Sequence, residues 1–307
     1  MPYDSKKEFR TLSSPEYFTR VDESHPLNLW KGVNKSGMKT IRFIGDFRAV
    51  PVTGTKQIEV SQIRIDDKKA IQFSLISEES AELFYKFCDD LVDSSRTEAN
   101  QAGGYTFIIN RFAKWKRLFT TRTDLLTEES VMGLIGELIF MKDYLFPKYG
   151  CHRSLVAWSA SEPTLKDFSV GDLWFEIKTT GAKAKGIKVS SIEQLDSANP
   201  GYLVVYRLEK MSTAFNGINL NDLVIKINQL IDSPEDLDLF AYKLNQDKYS
   251  YNEKYNDYVF QLKETNFYEV NEKFPCLRRK NLDKSILNAV YDLSLDEIEI
   301  YKQKEEQ

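Results

Sequence analysis

The sequence predicts an α/β protein: a central segment running helix, strand, strand, strand, helix, strand over a mixed sheet, with a β-rich domain before it and an α+β region after it. Three observations carry that reading. Residues 165–180, LKDFSVGDLWFEIKTT, place Gly171-Asp172 between two runs of strand formers, the signature of a hairpin whose loop suits a type II′ turn. A capped helix with almost no charge precedes the hairpin, and a continuous apolar strand, GYLVVYRLE from Gly201, follows it. The expected division is 1–103, 104–215 and 216–307.

Composition sets the outer limits. With 42% hydrophobic and 29% charged residues among 307, the chain has material for packed cores and is not of the disordered class. A formal net charge of −4 argues against a protein that coats nucleic acid non-specifically, so any phosphate-tracking surface has to be local. Cys88, Cys151 and Cys276 lack CxxC spacing, which indicates neither a zinc knuckle nor a disulfide framework and suits a reducing cytoplasm. The first residues, MPYDSKKEFRTL, lack the apolar core of a signal peptide, and no apolar run approaches ~18 residues, so membrane spanning is not expected.

From the start of the chain, residues 1–30 are polar, contain Pro2, Pro15 and Pro26, and read as an irregular lead-in. MKTIRFIGDF, QIEVSQIRID and AIQFSLI are β-rich runs between turn signals, so residues 38–77 predict a small antiparallel sheet. After Ser77, the positions Leu83, Phe84, Phe87, Cys88 and Leu91 follow helical spacing. Gly103-Gly104 reads as a linker or loop. Residues 105–126 look helical and carry Arg111, Lys114, Lys116, Arg117 and Arg122, with Trp115 and Phe119 interleaved. This set suits a nucleic-acid backbone, although the commoner origin of such a pattern is an amphipathic helix with a solvated face.

Thr127-Glu128-Glu129 starts a helix that runs to about Phe146, with Thr127 as N-cap and two acids where the dipole favours them. Gly133 and Gly136 would let it approach a sheet closely. Glu137 is its mid-helix charge, with Gly133, Leu134, Phe140 and Met141 at helix-neighbour spacing, and so points into an apolar environment. A carboxylate there needs a partner: a metal, directly or through water, Lys178, or another basic residue. Ser154 to Trp158 reads as a short strand.

The hairpin sets a register in which Val170 pairs with Leu173, Ser169 with Trp174 and Phe168 with Phe175, and Asp167 falls opposite Glu176. Phe168, Val170, Leu173, Phe175 and Ile177 then share one face; Asp167, Trp174, Glu176 and Lys178 share the other. Opposed carboxylates with Cβ atoms about 5 Å apart repel, and a divalent cation would give the pair a reason to exist. Two hard oxygen ligands with an ammonium two residues along suit Mg²⁺ or Mn²⁺ with water and a phosphate oxygen. Zinc suits less well, with no His or Cys on either strand. A polar face that is simply solvated is the plain alternative.

Beyond the hairpin, TTGAKAKGIKVS carries Lys183, Lys185 and Lys188 on a Gly-flanked mobile loop, either a phosphate contact or a solvated loop. Gly181 and Gly186 have P-loop spacing, but Ile187 stands where the lysine is required, which rejects that reading. A short helix starts at Ser190. After residue 215, DLVIKINQLI and DSPEDLDLF read as helices, YVFQLKETNFYEV as paired strands, and SILNAVYDLSLDEIEIYK as a strand and a short helix. Arg278-Arg279-Lys280 is a short basic triplet.

Over residues 125–210 the chain resembles the PD-(D/E)XK nuclease superfamily and its restriction-endonuclease-like fold. It is most similar to bacterial PD-(D/E)XK motif proteins of restriction-modification and phage-defence neighbourhoods. The carriers are Gly136-Glu137-Leu138, Lys166-Asp167-Phe168 and Glu176-Ile177-Lys178. The resemblance implies a core of α-β-β-β-α-β order and Mg²⁺, or Mn²⁺, held by Asp167 and Glu176 with Glu137 as an auxiliary acid. It also implies that Lys178 orients or activates the attacking water and that Gln194 is a further polar site residue. Lys166 departs from the pattern, standing where the name-giving proline would be. The expected activity is metal-dependent endonucleolytic hydrolysis of DNA by direct water attack, since neither His25 nor His152 lies in a triad-like context and no GxSxG appears. A homodimer or partner subunits of a defence complex are compatible with it. Two alternatives come from other classes: a non-catalytic nuclease-fold subunit that holds DNA or a partner protein, and a purely structural interaction protein.

Overall fold

A computed structural model of the protein describes residues 2–97, 101–119, 125–160 and 166–303. Arg122 of the basic stretch and Leu165 at the head of the hairpin segment lie outside the described residues. The chain forms two compact units, residues 1–121 and 122–307.

In the first unit, helix α1 (Ser5–Arg10) is followed by strands β1 (Phe18–Arg20), β2 (Leu29–Val33), β3 (Lys39–Gly45), β4 (Ile58–Ile65) and β5 (Lys68–Leu75) and by helices α2 (Ala81–Ser94) and α3 (Gln101–Trp115). The strands make one antiparallel sheet in the order β1-β2-β3-β5-β4, which includes the sheet expected over 38–77. The lead-in is not irregular, because it supplies α1, β1 and β2. Its polar text concealed an inner strand: Lys31 is buried and pairs with Glu8 at 2.5 Å. Gly103-Gly104 is not a linker either, since both residues lie inside α3. A Cβ on Gly104 would stand 2.7 Å from Leu27 Cδ2, so glycine there permits close approach of the helix.

In the second unit, Thr127 caps α4 (Glu128–Phe140), accepting the Ser130 N–H at 3.2 Å. One π turn, Met141–Leu145, leads into α5 (Phe146–Tyr149). Residues 151–157 form α6 (Cys151–Ala157) where a strand was expected. Ser154, Leu155 and Ala157 are buried along one side of that helix, Ser154 Oγ donates to Gly150 O at 2.6 Å, and Trp158 alone makes a bridge, to Phe168. Strands β6 (Phe168–Val170), β7 (Leu173–Gly181), β8 (Gly186–Val189) and β9 (Gly201–Met211) follow. Next come α7 (Leu220–Leu230), α8 (Pro234–Gln246), β10 (Val259–Glu269) and β11 (Tyr291–Ser294).

The main sheet has the order β10-β9-β7-β6, with β7 parallel to β9 and the outer pairs antiparallel, so it is mixed as expected. Its strand set differs from the expectation, since β8 comes from the lysine-bearing stretch and pairs with β11 in a separate two-stranded sheet. The helix expected at Ser190 is a single 3-10 turn, Ile192–Gln194. YVFQLKETNFYEV forms one strand, β10, with a bulge between Leu262 and Glu264 in place of a hairpin turn.

Both faces of the main sheet are covered. On one, Phe140 of α4 lies with its ring 5.2 Å from that of Phe168 and 4.9 Å from that of Phe175. On the other, Trp174, Leu203 and Val205 share a core with Ile187, Val189, Leu195, Phe274 and Ile298. Among the described residues no helix is long and apolar enough to cross a membrane.

Gly133 has open space beside it, whereas a Cβ on Gly136 would lie 2.3 Å from Thr179 Cγ2 on β7. The Gly136→Ala variant is expected to lose roughly 1–3 kcal/mol by overpacking. Thr179→Ser in the same chain, which deletes the opposing methyl, restores part of that loss. Thermal and urea unfolding of the two variants check both expectations.

Candidate active site

The hairpin has the expected register, Phe168 with Phe175, Ser169 with Trp174 and Val170 with Leu173. Gly171 takes a φ of +62°, as its place in the loop requires. The ladder then stops, and Asp167 is not a strand partner of Glu176. Its Oδ2 instead accepts the N–H of Ile177 at 2.6 Å, while its own carbonyl accepts from Ser159 at 2.9 Å. A side-chain acceptor has taken the amide that a further ladder rung would have used, and this turns the Asp167 carboxylate in toward β7.

Glu176 sits in the middle of β7, between β6 and β9, and is 0% exposed. Neither carboxylate oxygen accepts a hydrogen bond. Lys178 Nζ lies 2.9 Å from Oε1, an ion contact outside hydrogen-bond geometry. Burial and then the neighbouring Asp167 carboxylate push Glu176 up to about 8. Burial also raises Asp167, against the pull of Lys178 and the Ile177 amide. For Lys178 burial works against the charge, but Glu176, Asp167 and Glu137 outweigh it and hold its pKa above the ordinary lysine value. A desolvated carboxylate without donors is costly. The donor set fits a divalent cation of the magnesium class: hard carboxylate oxygens from Asp167 and Glu176, of which those of Glu176 accept no hydrogen bond.

Glu137 is half-buried on α4, and its Oε2 accepts the Trp158 indole N–H at 2.7 Å. Burial, Asp167 and Asp247 together raise its pKa well above the usual carboxylate range. Among the described residues no three His, Cys, Asp or Glu side chains are grouped to hold a metal ion. Asp167 and Glu176 both act electrostatically on the Glu137 carboxyl, so the three expected ligands share one neighbourhood. Glu137 is occupied by the indole, and a cation at Asp167 and Glu176 would complete its shell with water or phosphate. Gln194 serves its own turn, its Oε1 accepting the Ser190 N–H at 2.7 Å.

The expected nucleic-acid contacts separate into two groups. Lys183, Lys185 and Lys188 are exposed. The stretch that carries them is not a mobile loop: Arg207 donates to Ala182 O at 3.3 Å and Ala184 O at 2.7 Å, and Lys188 lies on β8. Arg111 and Lys114 belong to the first unit, where Arg111 pairs with Asp90 and donates to Ser94 Oγ at 2.9 Å. Trp115 is buried, with its indole N–H on Asp90 at 2.6 Å, so it offers no stacking face.

Two residues that the sequence gives no role at the site frame it. Lys166 donates to the carbonyls of Glu193 and, at 3.1 Å, Asp196, and its ammonium lies 4.1 Å from the Trp174 ring. Burial lowers its pKa to about 8. Trp158, fully buried, gives its N–H to Glu137 and its carbonyl to Lys243 of α8. An unusual Lys next to Asp167 was the one visible signal; nothing in the text marked Trp158.

No curated protein and no solved structure matches the chain. One family model, described as "Putative PD-(D/E)XK family member" (DUF4420), matches residues 5–296, a span that covers most of both compact units and the whole Asp167–Glu176–Lys178 constellation. The chain belongs to this family.

Proposed function

We propose that the protein is a divalent-metal-dependent endonuclease that hydrolyses DNA phosphodiester bonds with an activated water. The observation that carries this is the Glu176 carboxylate, sealed from solvent beside Asp167 and met, among the described residues, by no donor but the Lys178 ammonium. Asp167 and Glu176 would hold Mg²⁺ or Mn²⁺, which supplies Lewis acidity toward the phosphate and lowers the pKa of a water. Lys178, kept charged by its acidic neighbours, orients that water and stabilises the charge that develops on the phosphate. Asp167 is fixed for its part by the Ile177 amide. Glu137 stands by as an auxiliary acid, oriented by Trp158. Exposed Lys183, Lys185 and Lys188 follow the DNA backbone. A place in restriction-modification or phage defence accords with the family resemblance. One rival is a nuclease-fold subunit that binds DNA without cutting it.

Cleavage of varied DNA substrates with Mg²⁺ or Mn²⁺ decides between them. Asp167→Ala and Lys178→Ala are each expected to cut at least roughly a hundredfold more slowly than the parent, the scale of a lost transition-state contact. Variants that cut as fast as the parent would overturn the site. Binding at low salt with no metal-dependent cutting, unchanged by Glu176→Ala, would establish the binding subunit.

A second expectation concerns stability. In the cation-free protein Glu176 titrates near 8, against an ordinary 4.5. Between those values the folded chain keeps a proton that the unfolded chain has released, so stability is full at the acid end and falls as pH rises toward 8. Glu176→Gln is expected to flatten that slope and to stabilise the cation-free protein at the alkaline end by on the order of 1–3 kcal/mol. Mg²⁺ raises the Tm of the parent there, and of the variant much less. Melting curves across this pH range, with and without Mg²⁺, read both effects.

A further inference from the structure

Between Arg278 and β11 the chain has only one 3-10 turn, Arg279–Asn281, yet it is built to hold a shape. The Arg279 guanidinium donates to the carbonyls of Ile286 at 2.6 Å and Leu287 at 3.0 Å and pairs with Glu193 at 2.5 Å. The Arg279 backbone N–H donates to Asp196 at 2.9 Å, and Arg278 donates to Asn271 O at 2.5 Å. What this frame presents to solvent is Leu287, 85% exposed, with Ile286 and Val290 exposed beside it. Single exposed leucines are common and need no explanation. This one is different because a guanidinium grips its own carbonyl and the one before it.

Charge and connection indicate what the tip meets. Lys280 and Lys284 are exposed within it, and its one acid, Asp283, is turned to the N–H and Oγ of Ser285. The turn at 193–196 that anchors Arg279 is the turn whose carbonyls Lys166 holds, and Lys166 is the neighbour of Asp167. The tip runs on into β11, which pairs with β8 and its Lys188. Apolar tip, lysines and carboxylates therefore belong to one bonded frame. An apolar side chain flanked by cations suits a duplex, where such wedges part a base step while lysines take phosphates. A protein partner would ask for a broader apolar surface than three side chains.

We propose that the tip at residues 279–290 is a duplex-DNA contact in which Leu287 inserts between stacked base pairs and Lys280 and Lys284 engage the flanking phosphates, an inference that rests on the nuclease reading above. The test uses the full chain without divalent cation, so that binding is read apart from cutting, on short duplexes carrying 2-aminopurine at successive positions. The parent is expected to raise the fluorescence at one step. Leu287→Ala, at a position too exposed to affect folding, is expected to abolish that rise and weaken binding roughly tenfold, the equivalent of exposing one leucine. Leu287→Met keeps both. Equal fluorescence and affinity in Leu287→Ala would overturn the wedge and leave the nuclease reading standing; no binding of the parent to DNA at low salt would remove both. Association of two copies of the chain that Leu287→Ala abolishes, with DNA binding unchanged, would overturn it in favour of a protein interface.

Discussion

Everything at the site follows from one carboxylate placed where water cannot reach it. Glu176 lies on an inner strand of a sheet covered on both faces, and among the described residues the one cation against its oxygens is the Lys178 ammonium, 2.9 Å from Oε1. The surrounding fold relieves this only in part, through the Lys178 and Lys166 charges. Asp167 adds a like charge, and Lys178 offers an ion contact without hydrogen-bond geometry. A sheet selected for stability alone would place Val or Leu there, since removing a buried ionisable group often stabilises. The strain is local and is consistent with a charge reserved for a ligand rather than for folding.

Holding such a group requires neighbours whose own bonds are spent. Asp167 is fixed by a main-chain amide of β7, Glu137 by an indole, and the adjoining turn by the Lys166 ammonium. The indole and ammonium contacts join segments 21 to 30 residues apart, so that part of the frame exists only in the folded unit. Gly136 belongs to the same logic, because only a residue without a Cβ lets α4 lie against Thr179 and bring Glu137 toward the strands.

The local parts of this arrangement were legible in the sequence. Period-two alternation around Gly171-Asp172 yielded the hairpin and its register, and Thr127 with two acids marked the start of α4. What escaped were features decided by tertiary contacts. The apolar text of residues 154–158 suits a strand or a buried helix, and packing against neighbouring elements chose helix. Gly103-Gly104 carries a loop signature but was selected for contact with Leu27. The Asp167 to Ile177 bond replaces a ladder rung, a substitution that no alternation pattern records. Pairing of β8 with β11, about a hundred residues apart, has no local signal at all.

Charge counting gives the same lesson about function. The basic stretch at the end of α3 carries the larger number of cations, yet Arg111 is spent on Asp90, Lys116 donates to Thr53 O at 3.3 Å, and Trp115 is sealed in the core. The lysines around β8 are fewer, yet their side chains stand in solvent. In a chain of net charge −4, affinity for a polyanion depends on which cations have been left without internal duties. By that measure the exposed cations Lys183, Lys185 and Lys188 belong to the unit that carries Glu176.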